Sequence, residues 1–224
     1  MMGNGILIAF EGPDCAGKSS ILEKLKIVLP VMYDNKKFLY TREPGNLLNN
    51  NNESEAIRQE VLSNSNLTHK EQAELFAKAR YLHTQEIIDK LKEGYIVITD
   101  RYLLSSVIYQ GLTLGYEEVL NINKDVIELL NKNNIALENI VFQITEQTYE
   151  ERMASRNEEK DAMEDIEKSM ILDRIESYNS IEDGSELKCV NRNNTVTINA
   201  NGSDYDRILL DTLIQIQRIL KEEK

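Results

Sequence analysis

The chain has 224 residues, with 26 Lys+Arg against 38 Asp+Glu and a formal net charge of −12. Hydrophobic residues make up 41%, enough for a real core, so wholesale disorder is excluded. No apolar run approaches the roughly 18 residues that cross a bilayer, and the acidic balance argues against general binding to nucleic-acid backbones, though not against a local basic pocket for a small anion. Two cysteines, Cys15 and Cys189, are too few for a disulfide scaffold, and no Cys/His spacing suggests zinc. The start, Met1-Met2-Gly3-Asn4-Gly5, has no basic n-region, so the expectation is a cytoplasmic protein without a signal peptide.

Along the chain, short apolar runs alternate with longer amphipathic stretches. Gly5 to Phe10 reads as a buried strand, and Ile21, Leu22, Leu25 and Val28 give Ser19 to Val28 a helical spacing. Lys37 to Thr41 reads as a second strand. The polar run Asn46 to Ser54 reads as a surface loop, and Glu55 to Leu62 and Lys70 to Leu91 read as helices. Tyr95 to Thr99 is a third strand, followed by helical stretches at Leu103 to Tyr109 and Lys124 to Asn131. Ile140 to Ile144 gives a fourth strand and Thr195 to Ala200 a fifth, with a polar connection, Glu182 to Asn194, before it. A last helix spans about Asp204 to Leu220. Strands separated by helices predict one α/β domain: a parallel five-stranded sheet with helices on both faces and ligands beyond the carboxyl ends of the strands.

Gly12-Pro13-Asp14-Cys15-Ala16-Gly17-Lys18-Ser19 fits G-x-x-x-x-G-K-[ST] between the first strand and the first helix. Glycines let the backbone curl so that its N–H groups face phosphate oxygens at a helix N-terminus. Lys18 brings a positive charge to the transferred group, and Ser19 offers a hydroxyl to Mg²⁺. These eight residues, with Ser20 behind them, are the expected ATP site.

Further pieces select among phosphate-loop proteins. They are Thr41-Arg42-Glu43-Pro44-Gly45, Leu75-Phe76-Ala77-Lys78-Ala79-Arg80, Asp100-Arg101-Tyr102 with Ser105 and Tyr109-Gln110-Gly111, and an arginine-containing stretch from Arg152 to Lys160. In this order and spacing the chain resembles the thymidylate kinases over nearly its whole length, the likeness weakening after Phe142. The resemblance implies ATP-dependent phosphorylation of dTMP with Mg²⁺. It implies that Lys18 and Asp100 are catalytic and that Ser19 and Asp100 serve the metal. Arg42, Arg58 and Arg101 would bind the acceptor phosphate. Phe76 would stack on the pyrimidine, Arg80 would hydrogen-bond its carbonyl edge, and Gln110 would face the base. Asp14 would take the sugar 3′-hydroxyl, Tyr109 would press on the C2′ side, and Ser105 belongs to the same dTMP set. Glu43 is a supporting residue. Members are usually homodimers, and the long helix Lys70 to Leu91 is a plausible interface.

The chain also departs from the family. Cys15 stands where some members have an arginine, so catalytic charge is expected from a lid at about 153–165, with Arg156 ahead of Lys160 and Arg152 at its base. An asparagine-rich insertion precedes Arg58, and Gln143 replaces an aspartate at the end of the fourth strand. His69 and His83 carry no motif and are expected on the surface. Competing readings are a kinase for another deoxynucleotide or a deoxynucleoside, and a phosphate-loop switch or inactive binder. A GTPase would want N-K-x-D, but Asn123-Lys124-Asp125-Val126 lacks the final aspartate.

Overall fold

The structure is a computed structural model; it describes residues 5–43, 53–64, 66–155 and 167–222. Its sheet has five parallel strands in the order β2-β3-β1-β4-β5: β1 (Ile6–Glu11), β2 (Lys37–Arg42), β3 (Tyr95–Asp100), β4 (Ala136–Gln143) and β5 (Asn193–Asn199). The central strand β1 is buried along its whole length, which is why it reads as a continuous apolar run rather than an alternation.

The alternation shows instead in where β1 sends its side chains. Ile6, Ile8 and Phe10 join one core with α1 (Lys18–Met32) and α9 (Tyr205–Glu222). Leu7 and Ala9 join the other, with α3 (His69–Lys92) and α6 (Lys124–Lys132). Helices therefore cover both faces, as the sequence predicts. A third cluster joins α4 (Leu103–Leu114) to α8 (Lys168–Asn179) through Leu104, Ile108 and Tyr178. The remaining helices are α2 (Glu53–Ser63), α5 (Tyr116–Ile122) and α7 (Glu146–Ser155). Among the described residues, no helix is long and apolar enough to cross a membrane.

The structure moves several predicted boundaries. β4 starts at Ala136, four residues earlier than its sequence signal, because Glu138 and Asn139 interrupt the apolar run while staying in the ladder. β5 starts at Asn193 and ends at Asn199, pairing as far as Gln143. The short helix α5 has no counterpart in the sequence reading.

Candidate active site

The motifs meet at the carboxyl ends of β1, β2 and β3. The turn out of β1 needs glycine at its first position: Gly12 has φ +141°, and a Cβ there would stand 2.5 Å from the Phe142 carbonyl oxygen. Gly17, at φ 86°, opens α1. Between them Cys15 takes the left-handed conformation at φ 61°, unusual for a residue with a Cβ. Lys18 is buried, and its Nζ donates to the Gly12 and Pro13 carbonyls at 3.0 and 2.8 Å, spanning the loop from inside. Burial, reinforced by Arg101, pulls the Lys18 ammonium down to about 8 against the opposing pull of Asp100, Asp14 and Glu11.

Ser19 and Asp100 come together in the structure. Ser19 Oγ donates to Asp100 Oδ2 at 2.9 Å, while Asp100 Oδ1 is buried and makes no hydrogen bond among the described residues. A buried carboxylate oxygen with no partner beside a hydroxyl suits a hard cation that completes its shell with phosphate and water oxygens. Among the described residues no group of three or more His, Cys, Asp or Glu could hold a metal alone.

Arg101 is the hub of the site. It too is left-handed, at φ 68°, fixed by its N–H donating to the Phe10 carbonyl at 2.8 Å. Its guanidinium donates to the Gly12 carbonyl at 2.9 Å, to Ser105 Oγ at 3.1 Å and to Asp14. Tyr109 donates its hydroxyl to the second Asp14 oxygen at 2.8 Å, and the Arg101 guanidinium lies 4.8 Å from the Tyr109 ring centroid. Burial alone would raise the Asp14 carboxyl, but Arg101, Lys18 and the Tyr109 hydrogen bond outweigh it and hold it below the usual range.

Arg42 and Arg58 also converge, on a carboxylate that the sequence reading passed over. Glu55 Oε1 accepts from Arg42 Nη2 at 3.0 Å and faces Arg58 Nη1 at 3.5 Å. Two guanidiniums around one anion are the arrangement that a phosphate would find. The only sequence signal for Glu55 is its place three residues before Arg58 on α2.

The base-side residues lie on α3 and α4. Phe76 and Arg80 are both buried. Arg80 is thus not the solvated helix charge that an isolated arginine usually is: its Nη1 donates to Asn123 Oδ1 at 2.6 Å. Gln110 is buried and its Oε1 accepts from Ser106 at 2.8 Å. His69 is exposed as expected. The expectation of a surface position for His83 is overturned: the residue is fully buried, because α3 lays this face against the end of β2.

Glu11, which the sequence reading missed, completes the support together with Arg174 and Tyr178. Glu11, fully buried at the end of β1, accepts from the Tyr102 N–H at 2.8 Å and from Ser105 Oγ at 2.5 Å, anchoring the start of α4 and so the backbone that carries Arg101. Burial pushes its carboxyl up. Arg174 of α8 sets its guanidinium 4.1 Å from the Tyr109 ring centroid, and Tyr178, one turn on, exchanges a 2.9 Å hydrogen bond with Ser105. A charged residue closing an apolar strand was the available signal for Glu11.

Arg152 is committed elsewhere. It donates to the carbonyls of Cys15 at 2.9 Å, Ala200 at 2.7 Å and Gly202 at 2.6 Å, tying the phosphate loop to the turn after β5. Gln143 donates to the carbonyls of Tyr178 and Ile181, holding the end of α8. Arg156 and Lys160 lie outside the described residues.

With this geometry in place, the comparisons with known proteins are specific. The family model described as thymidylate kinase matches residues 10–203. A thymidylate kinase of Staphylococcus epidermidis is 32% identical over 217 residues, covering 96% of this chain and 98% of the relative. One of Ureaplasma parvum serovar 3 is 33% identical, covering 98% and 93%. A thymidylate kinase of Mycoplasma mobile is 44% identical over 122 residues; that match covers 53% of this chain and spans only 57% of the relative's length. The crystal structure of thymidylate kinase from Ehrlichia chaffeensis matches with TM-score 0.60 at 20% identity, covering 96% and 99%, a likeness of fold. The chain belongs to the thymidylate kinase family.

Proposed function

We propose that this chain transfers the γ-phosphoryl group of ATP to dTMP, giving dTDP and ADP. The observation that carries this reading is the meeting of Lys18 and Arg101 on one group: the arm that holds a donor phosphate and the arm that holds an acceptor phosphate both donate to the Gly12 carbonyl, at 3.0 and 2.9 Å. The loop N–H groups and Lys18 hold the ATP phosphates, with Lys18 exchanging its two carbonyl partners for phosphate oxygens. Arg101, Arg42 and Arg58 grip the dTMP phosphate, the latter two trading Glu55 for it. An oxygen of that phosphate forms a bond to the γ-phosphorus as the bridging bond to ADP breaks. The acceptor is already largely a dianion at neutral pH, since its second pKa is about 6, so no general base is required.

Ser19 and Asp100 are the residues that would hold Mg²⁺, which when bound neutralises charge on the β- and γ-oxygens. Phe76 and Arg80 read the base, Gln110 faces it, and Asp14 and Tyr109 meet the sugar. The chain acts as one domain with segment 153–165 as its lid and Arg156 as the source of catalytic charge, and it works in the cytoplasm as a homodimer.

The test is direct. Purified protein is incubated with ATP and Mg²⁺ alone, then with dTMP, dUMP, dCMP or thymidine, and products are separated by anion exchange. Stoichiometric dTDP and ADP with dTMP supports the reading. Phosphorylation of thymidine instead, or ATP hydrolysis with no acceptor dependence, would replace it.

A further inference from the structure

Arg80 sits in a buried pocket, and its charge there needs a fixed counter-ion. Glu43 supplies it, with Oε2 at 3.4 Å from Arg80 Nε. That contact is an ion pair without hydrogen-bond geometry, since neither atom has a hydrogen-bond partner among the described residues. Something else must therefore orient the Glu43 carboxylate, whose terminal torsion is intrinsically broad. His83 does so: its Nδ1 meets Glu43 Oε1 in a short contact, and its Nε2 meets Thr41 Oγ1 at 2.9 Å. A ring nitrogen facing a carboxylate is the donor, so Nδ1–H donates to Glu43. Thr41, Glu43, Arg80 and His83 are all at most 4% exposed. Arg80 and His83 are three residues apart on α3, hence on one helical face.

We infer that His83 is a positioning residue for recognition of the pyrimidine, acting through Glu43 on Arg80. The relay explains why the end of β2 and the middle of α3 carry their motifs together: Thr41 and Glu43 close the box that Arg80 and His83 open. Asn123 holds the far side through Nη1, and Nη2 makes no hydrogen bond among the described residues, leaving it for the ligand. The Glu43 N–H donates to the Asp100 carbonyl at 2.9 Å, so the relay is pinned to the strand that ends in the metal residue. This inference rests on the reading of Arg80 as the group that meets the base.

The test is steady-state kinetics of His83→Ala, His83→Asn, His83→Gln and Glu43→Gln with dTMP, dCMP and ATP. His83→Ala is expected to raise KM for dTMP about 10-fold, the scale of a hydrogen bond to a charged group. KM for ATP and kcat stay within about twofold, and the preference for dTMP over dCMP narrows. His83→Asn, whose amide N–H can replace Nδ1–H, restores most of the loss; His83→Gln, which keeps only the Thr41 side, does not. Should His83→Ala fail to fold, Glu43→Gln must show the same selective rise in KM for dTMP. Unchanged KM and unchanged preference would overturn the inference. So would equal losses toward dTMP and ATP with a lower melting temperature, the mark of a merely structural histidine. A wild-type protein that forms no dTDP at all would sink the functional reading itself, and this inference with it.

Discussion

Lys18 shows how one residue sets a pH dependence. Its folded pKa of about 8 lies below the ordinary 10.5, so between those values the unfolded chain binds more protons than the folded one. Stability of the ligand-free protein therefore carries a penalty of about 3 kcal/mol below pH 8, relieved as pH rises from about 8 toward 10.5. Phosphate oxygens would restore the proton. ATP binding measured by calorimetry at about pH 9, in buffers of different ionisation enthalpy, should take up close to one proton, and at about pH 6.5 almost none. Lys18→Met should abolish that uptake and phosphoryl transfer, while circular dichroism stays native. Asp100→Asn tests the metal assignment: it should lower kcat about 10²- to 10³-fold and raise the Mg²⁺ concentration for half-maximal rate. An unchanged Mg²⁺ dependence would remove Asp100 from that role.

At the scale of elements, α3 carries the base-reading face, and its start is held by a complete capping box between Thr68 and Glu71. Thr68→Ala should cost about 1 kcal/mol, a fall in Tm of about 2–4 °C for a chain of this size, followed by thermal unfolding. The approach of the β1 turn to β4 predicts a harsher outcome for Gly12→Ala. The added Cβ would strike the Phe142 backbone, so both ATP affinity and stability should fall, as titration and melting would register. The phosphate loop and all five strands were legible because buried parallel strands and a glycine-rich turn are written locally. Arg101 and Asp14 were legible as types, but not their shared contact, which only the pairing of β1 with β3 creates. His83 was misread because an isolated histidine has no periodic signal, and its partners lie some 40 residues away, on β2 and just past its end. The helix α5 buries a single residue, Val119, too little for a visible pattern.

For the whole molecule, the sheet order places the first strand in the centre. β1 pairs with β3 from Leu7 opposite Val97, and with β4 from Ile6 opposite Ala136. Its partners are thus separated from it by about 90 and about 130 residues, non-local pairings of the kind that slow folding. During translation at about 5–20 residues per second, β1 leaves the ribosome roughly 5–20 s before β3 and longer still before β4. Through that interval Ile6, Leu7, Ile8 and Phe10, all buried in the finished protein, have no strand beside them. Nascent chains halted before β4 emerges should therefore be cut by protease near residues 6–17 and should recruit holdase chaperones. Release of the full chain should abolish both within the folding time. The strand that bears the phosphate loop is made before either of its neighbours, so nucleotide binding becomes available only after synthesis has passed β4, at residue 143.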